Sequence, residues 1–317
     1  MSQISGNATI WDLPNYTGML FTADEENTPI LSMMGGINGG EMIGNFEFPT
    51  SSEYDYPSAA QPAITETASL TAPSATEFVR DQVKNVTQIF MQAVNLSYEK
   101  LANRARLSGI NTVGGVNNVQ DELDAQIAYN LKIIARNIEY TILNGAYQIA
   151  TSAAVANKTR GLMACCDETG SVDINASSAD FSKSLFEQMI QGMFEAGAPL
   201  VKPTIICGAY QRQQISDVYG FVPTDRYVGG LSIDQIITPL GSFDVMPAHR
   251  FMTTSAILCA DLGVISAKFQ DVPGKGSFFY ETLAKTGAAE SGQIFGKFGL
   301  DHGAYAAHGK IYGLATS

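Results

Sequence analysis

The sequence of 317 residues predicts an α+β fold in which an N-terminal arm and an extended β-hairpin loop precede a long helix and a two-part body. Three observations support this prediction. The N-terminal quarter has no basic residue, two alternating polar–apolar stretches precede a low-complexity segment, and a later segment repeats apolar residues at spacings of three and four. The first indicates a separate structural unit, the second a hairpin with a long tip, and the third an amphipathic helix.

The N-terminal arm is marked by its charge. From Met1 to Val79 the chain has ten acids and no lysine or arginine, so this part carries −10 of the net charge of −12. It is also rich in large apolar residues, including Trp11, Leu20, Phe21 and Leu31. Disorder requires low hydrophobicity together with high charge, and the arm has only the charge. We expect the arm to dock on another surface, and an ordinary N-terminal subdomain is the alternative.

The hairpin is predicted from alternation. Asn45–Phe48 and Glu53–Tyr56 alternate polar and aromatic residues, as half-buried strands do, and Glu77–Leu96 is their predicted return partner. The Ser/Ala/Thr/Pro-rich stretch Pro57–Ala75 is typical of a mobile loop. Such a long loop is uncommon unless it is functional, and two strands with little core need an outside surface for stability.

The long helix is predicted from about Asn118 to about Ala150. Its apolar stripe consists of Leu123, Ile127, Leu131, Ile134, Ile138 and Ile142. A second helix is predicted from about Asp180 to Ala196 and a short one near Gln211–Tyr219. The strand candidates are Thr204–Cys207, Ile233–Thr238, Phe243–Met246, Ala256–Ala260 and Ser277–Thr282, followed by a glycine-punctuated series of short strands from Gln293 to Leu314.

The composition excludes several classes of protein. An acidic chain repels phosphate backbones, which argues against general nucleic-acid binding. No apolar run approaches the ~20 residues of a membrane span, and the start lacks the basic and apolar regions of a signal peptide. The four cysteines form no C-x-x-C pair, so we expect buried reduced thiols.

Residues with catalytic or ligand-binding potential are few. The run Gly35–Gly40 lacks the ending of a phosphate-binding loop and favours a hinge. The three histidines, His249, His302 and His308, have no third metal ligand at a suitable spacing and no recognisable nucleophile beside them. We therefore expect no catalytic residue, no metal and no cofactor, with an unrecognised soluble enzyme as an alternative.

Several stretches carry a family resemblance: Asn15–Phe21, Asn27–Met33, Thr159–Leu162, Leu283–Gly287 and Ala307–Leu314. Together with the order of arm, loop, long helix and two-part body, they resemble the major capsid proteins of tailed bacteriophages, whose Hong Kong 97-type fold is shared with encapsulins. The resemblance covers nearly the whole chain. It implies a structural protein rather than an enzyme, one that self-assembles into the pentamers and hexamers of an icosahedral head.

The resemblance also implies a division of the chain. Residues 1–44 would be the N-terminal arm, 45–96 the extended loop, 97–169 the peripheral domain with its spine helix, and 170–247 the axial domain. Residues 248–317 would be C-terminal strands that complete the peripheral domain.

The partners implied by the resemblance are further copies of the chain, a separate scaffolding protein, a portal and a decoration protein. The shell would enclose double-stranded DNA without reading its sequence and would involve no membrane. It would be assembled in the bacterial host cytoplasm and persist as the virion capsid. No lysine precedes Lys84, so the loop tip cannot supply a lysine for the covalent cross-link of some relatives. An encapsulin-like shell around cargo is the alternative.

Inter-subunit contacts are assigned to residues of the arm, the loop and the region that follows. Apolar arm residues would supply most of the association free energy, at about 25 cal/mol per Å² buried. Exposed ion pairs, at ~0–1 kcal/mol each, would set register and partner choice. The assigned residues are Trp11, Leu20, Phe21, Leu31, Glu53, Asp55, Arg80, Lys84, Lys100, Arg104, Lys132 and Arg136.

Overall fold

The computed structural model describes residues 28–36, 39–54, 59–75, 77, 80–99, 122–219, 226–228, 231–246, 249–285 and 287–316. Its elements are α1 (Pro29–Met33), β1 (Glu41–Met42), β2 (Glu47–Tyr54), α2 (Glu66–Ser69), β3 (Arg80–Val86), β4 (Gln88–Ser97), α3 (Glu122–Asn144), α4 (Leu162–Cys165), β5 (Val172–Asn175), α5 (Lys183–Glu195), β6 (Pro203–Cys207), α6 (Ala209–Tyr219), β7 (Arg226–Val228), β8 (Leu231–Thr238), β9 (Gly241–Val245), β10 (Ile257–Asp261), β11 (Ser266–Phe269), β12 (Phe278–Thr282), β13 (Ala289–Asp301), a 3₁₀ turn (Tyr305–Ala307) and β14 (His308–Tyr312). Among these residues no helix combines the length and apolar character that a bilayer span needs.

The predicted hairpin is formed by β2 and β3. They pair antiparallel from Glu47 opposite Val86 to Tyr54 opposite Arg80. The register shifts just after Pro49, which has no N–H to donate to the ladder. Between the strands, residues 59–75 are exposed and contain the single turn α2.

The first sheet has five strands and is centred on β13. β4 pairs with one side of β13, β12 and β11 pair with the other side, and β1 adds in parallel to β11. The predicted return of the hairpin through Leu96 is therefore wrong beyond Val86. β4 joins the body because its buried side chains, Phe90, Val94 and Leu96, need a core that the hairpin lacks.

Helix α3 packs its apolar stripe against this sheet. Ile134, Ile138 and Ile142 are at most 1% exposed and form the main core together with residues of β4, β11 and β13. The stripe predicted from sequence is thus confirmed from Ile127 to Ile142, but the helix ends at Asn144 rather than near Ala150. Its predicted start near Asn118 lies outside the described residues. A Cβ on Gly145 would lie 2.6 Å from the Thr159 carbonyl oxygen, so the chain must turn here to let the segment around Thr159 pass.

Strand β13 corrects the prediction of short, glycine-punctuated strands. It runs unbroken for 13 residues through Gly292, Gly296 and Gly299. The aromatic ring of Phe278 on β12 lies directly over Gly296, where an added Cβ would be 2.1 Å from a ring carbon. These glycines therefore make room for aromatic rings of neighbouring strands instead of ending the strand.

The second sheet has seven strands in the order β5-β14-β10-β6-β9-β8-β7. Helix α5 begins at the Ser182 cap, whose hydroxyl accepts from the Leu185 N–H, and buries Phe186, Met189 and Met193. These side chains form a second core with residues of β6, β9 and β10.

The five-part division of the chain stays a prediction, but strand pairing departs from it in the C-terminal part. β10 and β14 lie in the middle of the second sheet, whereas β11, β12 and β13 belong to the first. Every residue of β10 is buried, because Leu258 and Ala260 face the first core while Ile257 and Cys259 face the second. A strand that is apolar on both faces requires cover on both faces, which only the interior of this sheet offers.

Candidate inter-subunit surfaces

The hairpin tip, residues 59–75, presents apolar side chains to the outside. Ile64 is 73% exposed and Leu70 is 85% exposed. The tip contains Glu66 and no basic residue. An isolated two-stranded ribbon is marginally stable in water, so this tip suits stabilisation by another surface.

The root of the hairpin is fixed to the body by Asn85, which is completely buried. Its Nδ2 donates to the carbonyl oxygens of Leu300 at 2.7 Å and Arg160 at 3.2 Å. Its Oδ1 accepts from the backbone N–H groups of Arg160 at 2.8 Å and Val86 at 2.9 Å. The whole amide is therefore satisfied within the chain, and the direction in which the hairpin leaves the body is set.

The Thr159–Leu162 motif receives this root. Leu300 N–H donates to the Thr159 hydroxyl at 3.1 Å, which joins the motif to β13. The Arg160 guanidinium packs on the Tyr147 ring, donates to the Tyr305 hydroxyl and lies 3.2 Å from a Glu168 oxygen. The motif is therefore a junction of hairpin, sheet and helix end.

The solvent face of the first sheet carries a second apolar surface, the outer sheet patch, made of Ile89, Met91, Phe279 and Phe295. Ile89 and Met91 are 57% and 58% exposed. Met91 and Phe279 both pair with Phe295 and so share its face, and the two phenylalanine rings lie 5.8 Å apart. Lys297, opposite Ile89, adds a basic group at its edge.

The exposed side of α3 forms a third surface. Tyr129, Ile133 and Tyr140 are 47%, 41% and 53% exposed, and their spacing of four and seven places them on one helix face. Lys132, an assigned contact residue, is exposed on this helix with its Nζ 6.0 Å from the Tyr129 ring centre. Arg136 continues the same row and is half-buried.

The other assigned contact residues are placed as follows. Leu31 is 2% exposed within the chain's own core, so its surface is already used inside the subunit and it is withdrawn as a contact residue. Lys84 forms an ion pair across the hairpin, with its Nζ 3.4 Å from Glu47 Oε1. For Glu53 and Arg80 the structure describes only the backbone, and in the hairpin Glu53 pairs with Asp81 and Arg80 with Tyr54. Trp11, Leu20, Phe21, Asp55, Lys100 and Arg104 lie outside the described residues.

Sequence reasoning missed several residues of these surfaces. Ile64 and Leu70 lie in a loop of low complexity, where the sequence gives no periodic pattern that would single them out. The outer sheet patch depends on the pairing of β4 with β13, whose residues are about 200 positions apart. Asn85 carried no clear signal either, because it stands between Lys84 and Val86 in a strand that contains several other polar residues.

The four cysteines and the three histidines are buried inside the subunit. All four cysteines are free and buried, as predicted, and burial raises the pKa of each thiol, to about 11 for Cys207 and about 12 for Cys259. Such thiols are unreactive because little thiolate forms. No cluster of three or more metal-ligating side chains occurs in the part of the chain that the structure describes.

Comparisons with known proteins give a family from the sequence and a fold from solved structures. The sequence matches the family described as SU10 major capsid protein over residues 3–315. A comparison with curated proteins found no match.

Among solved structures, the cyanophage A-1(L) capsid asymmetric unit superposes with a TM-score of 0.65 at 12% identity, covering 96% of this chain and 97% of that one. The SrpI encapsulin of Synechococcus elongatus PCC 7942 gives a TM-score of 0.62 at 10% identity, with 96% and 94% covered. The Mycobacterium phage Patience structure gives 0.59 at 12% identity, with 99% and 94% covered.

These likenesses confirm the predicted α+β, Hong Kong 97-type fold. The family match extends over nearly the full chain and identifies the role that the fold alone would leave open. The chain therefore belongs to the SU10 major capsid protein family and is a structural subunit of a phage capsid.

Proposed function

We propose that this protein closes into an icosahedral shell of pentamers and hexamers in which the hairpin tip of each subunit packs on a neighbouring subunit. The exposed tip is the observation that supports this most directly. Ile64 and Leu70 are large apolar residues, and more than two-thirds of the surface of each is exposed to water in the subunit. Head-to-tail contacts of this kind generate closed rings when the rotation between subunits closes.

The outer sheet patch is the proposed receiving surface. It offers the exposed apolar residues Ile89 and Met91, and it has Lys297 at its edge while the tip carries Glu66. Burying an isoleucine or leucine side chain contributes about 1.5–3 kcal/mol, so the two tip residues would supply several kcal/mol per contact. The charges would select the partner and the register.

The shell would enclose double-stranded DNA. A subunit with a net charge of −12 does not bind the genome through phosphate contacts, so DNA could be packed without adhering to the wall. We propose a separate scaffolding protein, a portal and a decoration protein as partners, assembly in the cytoplasm of the bacterial host, and a role without catalysis or cofactor.

The proposal is tested by size-exclusion chromatography with light scattering, followed by negative-stain imaging. The wild type should give closed particles or tubes in the megadalton range. The double variant Ile64→Asp/Leu70→Asp should remain as free subunits or small rings, because it removes the apolar surface and adds charge. Thr67→Asp/Thr71→Asp is the matched control, since it adds the same charge at the exposed tip without removing apolar area.

Two outcomes would contradict the proposal. Normal shells from the Ile64/Leu70 variant would show that the tip is not a contact, and a failure of the wild type to assemble even with the phage scaffolding protein would refute shell formation. An encapsulin-like compartment is the second candidate, favoured by the likeness to the SrpI encapsulin. Bound protein cargo in place of DNA inside purified particles would support it.

A further inference from the structure

Glu139 is a carboxylate buried inside the main core. It is 0% exposed and lies on α3 next to Ile138, whose side chain is equally buried. Its Oε1 accepts a hydrogen bond from the Ile30 N–H at 3.0 Å, and its Oε2 accepts one from the Leu31 N–H at 2.8 Å. A buried carboxylate is tolerated only when its oxygens accept hydrogen bonds, and each oxygen of Glu139 accepts one from the backbone of α1.

The two bonds supply the N-terminal cap of α1. Thr28 occupies the cap position, but its side chain makes no capping hydrogen bond. Pro29 at the first helical position has no N–H, the Ser32 N–H donates to the Thr28 carbonyl, and the remaining first-turn donors are those of Ile30 and Leu31. Glu139, more than 100 residues away in sequence, accepts both of them. A helix of five residues does not persist by its own propensity, so α1 depends on this carboxylate and on its buried apolar side chains.

His249 connects the same carboxylate to the second sheet. Its Nε2 lies 2.8 Å from Glu139 Oε1, and the Phe251 N–H donates to its Nδ1 at 3.2 Å. Because Nδ1 accepts, the ring proton is assigned to Nε2, which donates to the carboxylate. The His249 backbone N–H in turn donates to the Cys207 carbonyl at the end of β6, at 2.7 Å.

We propose that Glu139 and His249 form a latch that fastens α1, and with it the point where the acidic N-terminal segment joins the body, to α3 and to the second sheet. Opening the latch releases α1 while both sheets stay folded. The latch lies within one subunit and does not depend on shell formation.

Hydrogen–deuterium exchange of the full chain tests the latch. In Glu139→Gln one acceptor oxygen becomes an NH₂ group that opposes the incoming donors, so peptides covering residues 28–36 should exchange at least about tenfold faster. Peptides of β10 and β14 should keep their wild-type rates. Asp124→Asn is the control, because it removes an exposed carboxylate from the same helix.

A second pair of variants, at His249, separates the effect of the histidine hydrogen bond from that of general packing. This pair tests the latch even if Glu139→Gln does not fold. His249→Gln keeps an N–H donor for the carboxylate and should retain slow exchange in 28–36, whereas His249→Leu removes the donor and should accelerate it. Unchanged exchange of 28–36 in both Glu139→Gln and His249→Leu would overturn the latch. An equal acceleration in all segments would overturn it too, because it would show only a loss of global stability.

Discussion

Replacing Asn85 by alanine should loosen the root of the hairpin. The substitution removes four hydrogen bonds of a fully buried amide, two donated to carbonyls and two accepted from backbone N–H groups. A buried hydrogen bond contributes about 1 kcal/mol net, and an N–H or carbonyl left without this partner costs about as much or more. With the small cavity added, Asn85→Ala should lower the free energy of unfolding by about 3–5 kcal/mol.

Urea unfolding of the unassembled subunit, followed by circular dichroism, measures this loss. Asn95→Ala is the matched control, because Asn95 lies on the next strand, is exposed, and its Oδ1 accepts a hydrogen bond from the Ser291 hydroxyl at 3.3 Å. Its loss should stay within about 0.5 kcal/mol. If the two variants differ by less than about 1 kcal/mol, Asn85 does not hold the root and the reasoning from its hydrogen bonds is refuted.

Three further variants test other parts of the chain. Gly296→Ala forces a methyl group into an aromatic ring and should cost about 1–3 kcal/mol by urea unfolding, whereas Gly287→Ala, in open space, should cost little. Burial, helped by nearby positive charge, lowers the pKa of His302 from 6.5 to about 3 in the folded protein. Below pH 6.5 the unfolded chain therefore binds a proton that the folded chain does not, and about 2 kcal/mol of stability should be lost as the pH falls from 6.5 to 5. In urea unfolding, His302→Phe should lose less stability over the same pH range. Glu53→Lys/Asp55→Lys should lower capsid yield, and normal yield would exclude an electrostatic role of the loop.

Local patterns in the sequence were sufficient to predict the longer helices, because the burial of a helix face follows from residues three and four positions apart. The stripe of α3 is confirmed from Ile127 to Ile142, and the second helix, predicted at Asp180–Ala196, is observed at Lys183–Glu195. The pairing partners could not be predicted in the same way. β4 was assigned to the hairpin because nothing in its own residues indicates that its partner is β13, almost 200 positions later.

The candidate site was predictable only in outline. The charge pattern predicts contact regions in the arm and the loop, and this stays a prediction. Leu31, chosen for its apolar character, is a core residue because its helix packs on α3. The glycines of β13 were interpreted as strand ends, since a glycine in sequence gives no sign of the aromatic ring that covers it. Both errors arise from packing against another element, which the local sequence does not show: Leu31 packs with α3, and Gly296 lies under the Phe278 ring of β12.

The hairpin combines a rigid root with an unsupported tip, and this contrast fits its proposed use in a shell. At the root, the Phe48 ring lies over Gly299 of β13, where an added Cβ would be 2.7 Å from a ring carbon, and Asn85 beside it makes hydrogen bonds to Arg160 and Leu300. At the tip, by contrast, Ile64 and Leu70 are largely exposed. A ribbon fixed at one end points in one direction before it meets a neighbour, which reduces the entropy lost on association. Weakening the root should therefore change the geometry of assembly even where the tip itself is intact.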